Sequence, residues 1–240
     1  MSDSLQGKQM IVVGGSGGVG SASTEMLAGE GASLVIGYAS KQDRAKQFEK
    51  FGRIVQADIT RAEDRTKLLD AAPDLYGLVV FAGDAARAKT VEEVEQAMRR
   101  SMEVNYLGPI LLAREAVERM KSRGTTGAIV LISTMQAMAL FAGSTAYAGA
   151  KVALLHAARI LAKECRGKSN IRVNVISPGV MAAGMAEASI ASGKYDRYRD
   201  EGIIHRFGAP KDVARAVRFL VEPDNYITGQ ALSVDGGLTL

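Results

Sequence analysis

Seven short apolar runs punctuate the chain, at 10–13, 33–36, 53–56, 78–81, 128–132, 171–176 and 231–234, most of them dominated by Val, Ile and Leu. Between them, the stretches 21–30, 62–71, 91–123, 145–165 and 210–220 carry helix-forming residues with apolar positions at helical spacing. Strand and helix therefore alternate. Near-continuous Val/Ile/Leu strands suit a parallel sheet covered on both faces, so the pattern predicts a doubly wound α/β architecture of three layers around a seven-stranded sheet. No Pro- or Ser-rich linker, charge block, low-complexity tract or repeat divides the 240 residues, and a single domain over 1–240 is expected.

Directly after the first run comes Gly14-Gly15-Ser16-Gly17-Gly18-Val19-Gly20, and then a helix begins. Glycines at 14, 18 and 20 allow a tight turn, close approach of the backbone to a pyrophosphate, and a helix packed close to its strand with its N-terminus toward the anion. This makes the domain Rossmann-type, with Gly14, Ser16, Gly17, Gly18, Val19 and Gly20 as dinucleotide contacts. The end of the second strand indicates which dinucleotide. An NAD-selective site offers an acidic residue to the ribose there, and the position is Tyr38, followed by Ser40, Lys41 and Arg44. A 2′-phosphate is repelled by a carboxylate and welcomed by a hydroxyl and a cation, so NADP(H) is favoured over NAD(H).

Tyr147 and Lys151 lie four residues apart in a helical stretch, which stacks a phenol and an ammonium on one face. A free phenol has a pKa near ~10, and a neighbouring cation favours the phenolate. At about 4 Å and an effective dielectric of ~20, the Lys charge supplies on the order of 4 kcal/mol before desolvation, enough to lower the phenol pKa by about two to three. The expectation is a Tyr147 acidic enough for proton transfer near neutral pH.

Charge and composition remove other classes. The net charge of +4 comes from 30 basic residues scattered among 26 acidic ones, the pattern of a solvated exterior, so neither nucleic acid nor a membrane surface is expected as partner. Cys165 is the single cysteine, which excludes an intrachain disulfide, and His156 and His205 lie far apart with no carboxylate pattern, so no metal site is expected. No leader pattern and no apolar span of about 20 residues is visible, and a soluble, cytoplasmic protein is expected.

With these residues in place, the chain resembles the short-chain dehydrogenase/reductase family along essentially its whole length. The glycine loop is similar to the family's cofactor loop, Asp58 and Ile59 to its adenine-contacting motif, Ala82-Gly83 to the end of its fourth strand, and Asn105 to its helix asparagine. Tyr147 and Lys151 match its catalytic pair, Pro178, Gly179 and Val180 its nicotinamide-side loop, and 226–230 with 234–237 its C-terminal signature. The resemblance implies that Thr134, helped by Ser133, hydrogen-bonds the substrate oxygen. It also implies that Lys151 holds the nicotinamide ribose and that Asn105 anchors a water linking Lys151 to solvent.

The chain departs from the family pattern at four places. Val13 replaces a hydroxyl residue before the loop, Val80-Phe81 replaces a pair of asparagines, Thr134 replaces the serine, and Ala183 replaces a threonine for the carboxamide. Met135, Met138, Leu140, Phe141, Met181 and Met185 border the expected substrate space, with Ser133, Met135, Phe141 and Met185 as contacts, and 184–206 is expected to form a lid helix. The implied activity is NADPH-dependent reduction of a ketone or 3-oxoacyl-type carbonyl to a secondary alcohol. The alternatives are an NAD-dependent alcohol or dihydrodiol dehydrogenase, and a non-catalytic nucleotide-binding relative. The long helices at 91–123 and 145–165 are similar to the family's subunit contacts and imply a homotetramer or homodimer.

Overall fold

In the computed structural model, which describes residues 5–88 and 90–240, all seven apolar runs form strands of one sheet, with only Phe81 of the run 78–81 lying past its strand. They are β1 (Gln9–Val13), β2 (Ser33–Tyr38), β3 (Gly52–Gln56), β4 (Leu75–Val80), β5 (Gly127–Ile132), β6 (Ile171–Pro178) and β7 (Ala231–Val234). The order is β3-β2-β1-β4-β5-β6-β7 and every neighbouring pair is parallel. The helices are α1 (Gly18–Gly29), α2 (Gln42–Lys46), α3 (Ala62–Asp70), α4 (Val91–Met102), α5 (Gly108–Ser122), α6 (Thr145–Glu164), α7 (Glu187–Ala191), α8 (Asp196–Asp200) and α9 (Pro210–Val221).

Alternate strand residues face opposite layers. Ile11, Val13, Val35, Leu78, Val80, Ile129, Leu131 and Val175 share a core with Leu68 of α3, Leu112 and Val117 of α5 and Leu154 and Leu161 of α6. Their neighbours Met10, Val12, Ile36, Val79, Val130 and Ile176 pack on the other face with Leu27 of α1 and Val213, Val217 and Leu220 of α9. Truncating any one of the fully buried leucines to alanine costs about 2–5 kcal/mol. Strand order reverses between β1 and β4, and their carboxyl ends open the crevice where such sheets bind ligands. Val13 pairs with Val80 at that point, so the glycine loop and Ala82-Gly83 leave the sheet side by side.

Two expectations need correction. The stretch 91–123 is two helices, α4 and α5, joined by a π-turn over Glu103–Leu107. Pro109 has no N–H to give to the carbonyl of Asn105 four residues back, so the regular ladder is interrupted there and the turn widens. The lid stretch 184–206 is a 3₁₀ turn (Gly184–Ala186) followed by α7 and α8, not one helix. Gly193 at φ +73° and Gly202 at φ +72° stand just past the ends of α7 and α8 in the left-handed conformation that stops helices. Among the described residues no helix is long and apolar enough to cross a membrane. The first four residues, which belong to the leader reading, lie outside the described part.

Candidate active site

The glycine loop folds as its spacing requires. Gly14 has φ +73°, its N–H donates to the Gly37 carbonyl at 2.8 Å, and its own carbonyl accepts from Gly17 at 2.9 Å. Gly20 lies so close beneath that a Cβ there would stand 2.4 Å from the Gly14 oxygen. Thr24 ties α1 to the loop by donating to the Gly15 carbonyl at 2.8 Å. At the start of α1 the N-cap is Gly17, with no side-chain cap and no acidic residue in the first turn, so its free N–H groups and positive end suit an anion. Ser16 is buried, and Val19 is half-buried against the core.

The departures at Val13 and Phe81 are packing. Val13 is buried in the core, and the Phe81 ring would lie 3.1 Å from a Cβ on Gly20 and its Cβ 3.2 Å from one on Gly14. An apolar wedge therefore supports the loop at these two departures.

At the end of β2, Tyr38 is buried while Ser40, Lys41, Gln42, Asp43 and Arg44 are exposed, so a hydroxyl and two cations stand there beside one carboxylate. The loop after β3 is pinned by Arg65, whose guanidinium donates to the Ile59 carbonyl at 3.1 Å and to Glu115 at 2.9 Å. One Asp58 carboxylate oxygen accepts from the Thr60 N–H at 3.0 Å and hydroxyl at 2.8 Å. After β6, Pro178 and Val180 are buried, and Gly179 gives its N–H to the Val234 carbonyl at 3.0 Å. These residues, the loop cradle with its free helix end and the exposed cationic strand end, fit a phosphorylated dinucleotide.

Thr134 follows β5, and its hydroxyl favours the ionised form of the Tyr147 phenol in the first turn of α6. The hydroxyl also accepts the Gln136 N–H at 3.3 Å, while the Ser144 hydroxyl, N-cap of α6, is hydrogen-bonded to the Gln136 side chain. One helical turn on, Lys151 is 3% exposed and donates from Nζ to the Ile132 carbonyl at 2.8 Å. Here the electrostatic expectation is overturned. Burial pushes the Tyr147 phenol up to about 12 against the Thr134 hydrogen bond, which pulls it down, and burial pushes the Lys151 ammonium down to about 7. An ammonium stripped of water favours its own neutral form before it can favour a phenolate.

The Asn105 side chain is bonded on all sides to its surroundings. Its side-chain nitrogen donates to the Asp84 carbonyl at 2.8 Å and the Ser101 hydroxyl at 2.9 Å, and its oxygen accepts the Asp84 N–H at 3.0 Å. With both amide protons taken, the side chain braces the loop after β4. Ser101 passes the brace on to the Ala146 carbonyl beside Tyr147, at 2.8 Å. Ser133 is likewise committed, giving its hydroxyl to the Lys151 carbonyl at 3.1 Å. Met135 is buried, Phe141 half-buried, and Met185 half-exposed with its methyl beside Gly83. Asp84, Arg87, Ser101 and Gln136 join the site without having been expected, the first three through contacts distant in sequence and Gln136 through Thr134 and Ser144 close by. A surface hollow of about 390 Å³ on the outer end of α6, lined by His156, Arg159, Lys163 and Arg166 among others, contains none of the site residues.

A profile of the family described as enoyl-(acyl carrier protein) reductase matches residues 14–239. Carbonyl reductase family member 4 of Danio rerio is 35% identical over 242 residues, covering 96% of this chain and 97% of that one. The chain belongs to the short-chain dehydrogenase/reductase family. NADPH-dependent aldehyde reductase 2 of Arabidopsis thaliana, a chloroplastic protein, is 31% identical over 98% of this chain and 95% of its own. A solved short-chain type dehydrogenase/reductase from Mycobacterium ulcerans superposes with a TM-score of 0.90 at 28% identity, over 98% of this chain and 91% of that one. The protein is thus an NAD(P)-dependent oxidoreductase with a Rossmann-type fold.

Proposed function

We propose that the protein reduces a ketone or 3-oxoacyl-type carbonyl to a secondary alcohol with NADPH, Tyr147 being the proton donor. The observation that carries this reading is the placing of Tyr147 and buried Lys151 one turn apart on α6, with Lys151 bonded to the Ile132 carbonyl at the end of β5 and the Thr134 hydroxyl acting on the phenol. Two adjacent hydroxyls suit a carbonyl oxygen: Thr134 orients it and Tyr147 gives it a proton. NADPH, when bound, supplies the hydride for the carbonyl carbon. Gly14, Ser16, Gly17, Gly18, Val19 and Gly20 would hold its pyrophosphate, Asp58 and Ile59 its adenine end, and Ser40, Lys41 and Arg44 its 2′-phosphate. Ala82, Gly83, Pro178, Gly179 and Val180 would border the nicotinamide half, and Lys151 its ribose. Asn105 acts as a brace for the wall around Lys151.

The raised phenol supports reduction over oxidation. An alkoxide is far more basic than a phenolate and still takes a proton from a phenol near 12. An oxidative enzyme would need the phenolate, which that value disfavours at neutral pH. NADPH appears in the name of the Arabidopsis relative, and carbonyl reduction in that of the Danio relative. The stretch 184–206 acts as the lid over the site. Exposed Met98 and Met102 on α4, Leu111 on α5 and Val152 and Ile160 on α6 support a homotetramer or homodimer.

A panel of ketones and 3-oxoacyl thioesters, run with NADPH and NADH and with Tyr147→Phe as control, tests the function. Turnover with NADPH that disappears in the variant is expected. A strong NADH preference would favour the oxidative alternative, binding of NADPH without turnover of any carbonyl would favour the non-catalytic one, and reduction of 2-enoyl thioesters alone would defeat the carbonyl assignment.

A further inference from the structure

The first turn of the lid is tied down on both sides of the crevice. On one side Gly184 rests on the start of α1: a Cβ on Gly18 would come within 2.6 Å of the Gly184 Cα and 2.7 Å of its nitrogen. On the other, Arg87 of the loop after β4 donates from its guanidinium to the Met185 carbonyl at 3.2 Å. Between these points the Met185 methyl covers Gly83, where a Cβ would lie 3.7 Å from it and 3.8 Å from the Lys151 Nζ. The turn thus forms an arch from the glycine loop to the β4 loop.

Arg87 is aimed by its surroundings. Asp84 accepts the Ala86 N–H at 2.6 Å, pairs with the Arg100 guanidinium at 3.0 Å, and is bonded through its own backbone N–H and carbonyl to Asn105. Ala86 is held at φ +48°, a left-handed conformation that an alanine keeps only where its neighbours impose it. The next side chain therefore leaves a braced turn, although Arg87 itself is exposed.

We infer that Arg87 is a positioning residue, a latch that holds the Gly184–Ala186 turn down across the crevice and thereby sets how fast a nicotinamide dinucleotide enters and leaves. The inference rests on the cofactor reading above. A dinucleotide reaching from the glycine loop to Lys151 has to pass the arch, and with Gly184 touching the first turn of α1 the arch has to lift. One exposed hydrogen bond from a charged donor is weak enough to break and reform readily, worth about a three- to tenfold change in an equilibrium.

Arg87→Ala and Arg87→Lys in the full chain test it by two measurements. Stopped-flow NADPH fluorescence without substrate should show association and dissociation both about three- to tenfold faster in Arg87→Ala, with Kd changed less than about threefold and Arg87→Lys in between. Hydrogen exchange of the cofactor-free protein should show faster exchange at the amides of 182–192 in Arg87→Ala. Unchanged rates together with unchanged exchange overturn the latch, as does a weaker Kd at an unaltered association rate, which would mark Arg87 as a direct ligand. If the wild type binds neither NADPH nor NADH, the cofactor reading fails, and hydrogen exchange alone then decides whether Arg87 latches the turn.

Discussion

Replacing Lys151 with methionine should make the cofactor-free protein more stable at low pH and remove a pH dependence that the wild type carries. In the fold the ammonium falls from 10.5 to about 7, a drop of about 3.5, at ~1.4 kcal/mol for each whole step. Charging Lys151 in the folded chain therefore costs about 5 kcal/mol more than charging it in the unfolded chain. Below pH 7 both states hold the proton and the full cost is present. Between pH 7 and 10.5 the unfolded chain holds a proton the folded chain has released, so stability climbs with pH, by about 4 kcal/mol at pH 10. Methionine keeps the length and apolar packing but loses the hydrogen bond to the Ile132 carbonyl, a loss of about 1 kcal/mol. Denaturant unfolding of both proteins from pH 6 to 10, at one protein concentration, measures the difference. The variant should lead by about 3–4 kcal/mol at pH 6, and the lead should shrink to near zero by pH 10. Cys165 is common to both proteins and cancels. Tyr147, whose raised value adds stability that is lost only as pH rises from 10 toward 12, lies above the window. A difference that stays flat to within about 0.5 kcal/mol across this range would refute the buried-charge argument.

Three further outcomes follow from the site. Tyr147→Phe should lower kcat by at least about 10²-fold while NADPH binding, followed by fluorescence titration, changes less than about threefold. The double variant Lys41→Ala/Arg44→Ala should weaken NADPH binding by about tenfold or more and leave NADH binding nearly unchanged, since only the 2′-phosphate loses partners; an equal loss for both would move the phosphate elsewhere. Gly20→Ala should cost cofactor affinity and thermal stability together, because its Cβ would meet the Gly14 oxygen at 2.4 Å and the loop has to shift, and calorimetry showing an unchanged melting temperature would contradict the tight packing.

Much of this architecture was legible in the residues because it depends on local signals. The seven apolar runs all became strands, and alternation with helices was enough to order the layers. Tyr147 and Lys151 declared themselves by helical spacing, and the glycine loop by its place between strand and helix. The break between α4 and α5 was written in Pro109, but the apolar periodicity running through it concealed the signal. The short α2 spans too few residues for periodicity to register. Asp84, Arg87 and Ser101 were unreadable for another reason: their contacts reach residues 16 to 98 positions away, and only folding makes them neighbours. The electrostatics failed for the same cause. Spacing brings a cation to a phenol, but burial decides which of them keeps its charge.

That burial acts on both members of the pair and in opposite senses. Around pH 8 the phenol keeps its proton and the amine has shed its own, so the pair is uncharged. Phenolate with ammonium holds the same number of protons, and passing from one arrangement to the other requires no exchange with solvent. The gap from about 7 to about 12 sets the difference at about 7 kcal/mol in favour of the uncharged arrangement. A hydrogen bond to a charged group contributes about 1.5–3 kcal/mol, so roughly three of them close the gap. The Thr134 hydrogen bond already enters the phenol's value, so these bonds have to come from polar groups that the free protein does not place beside the pair. The proton therefore stays on the phenol, where the alkoxide formed by hydride transfer can take it.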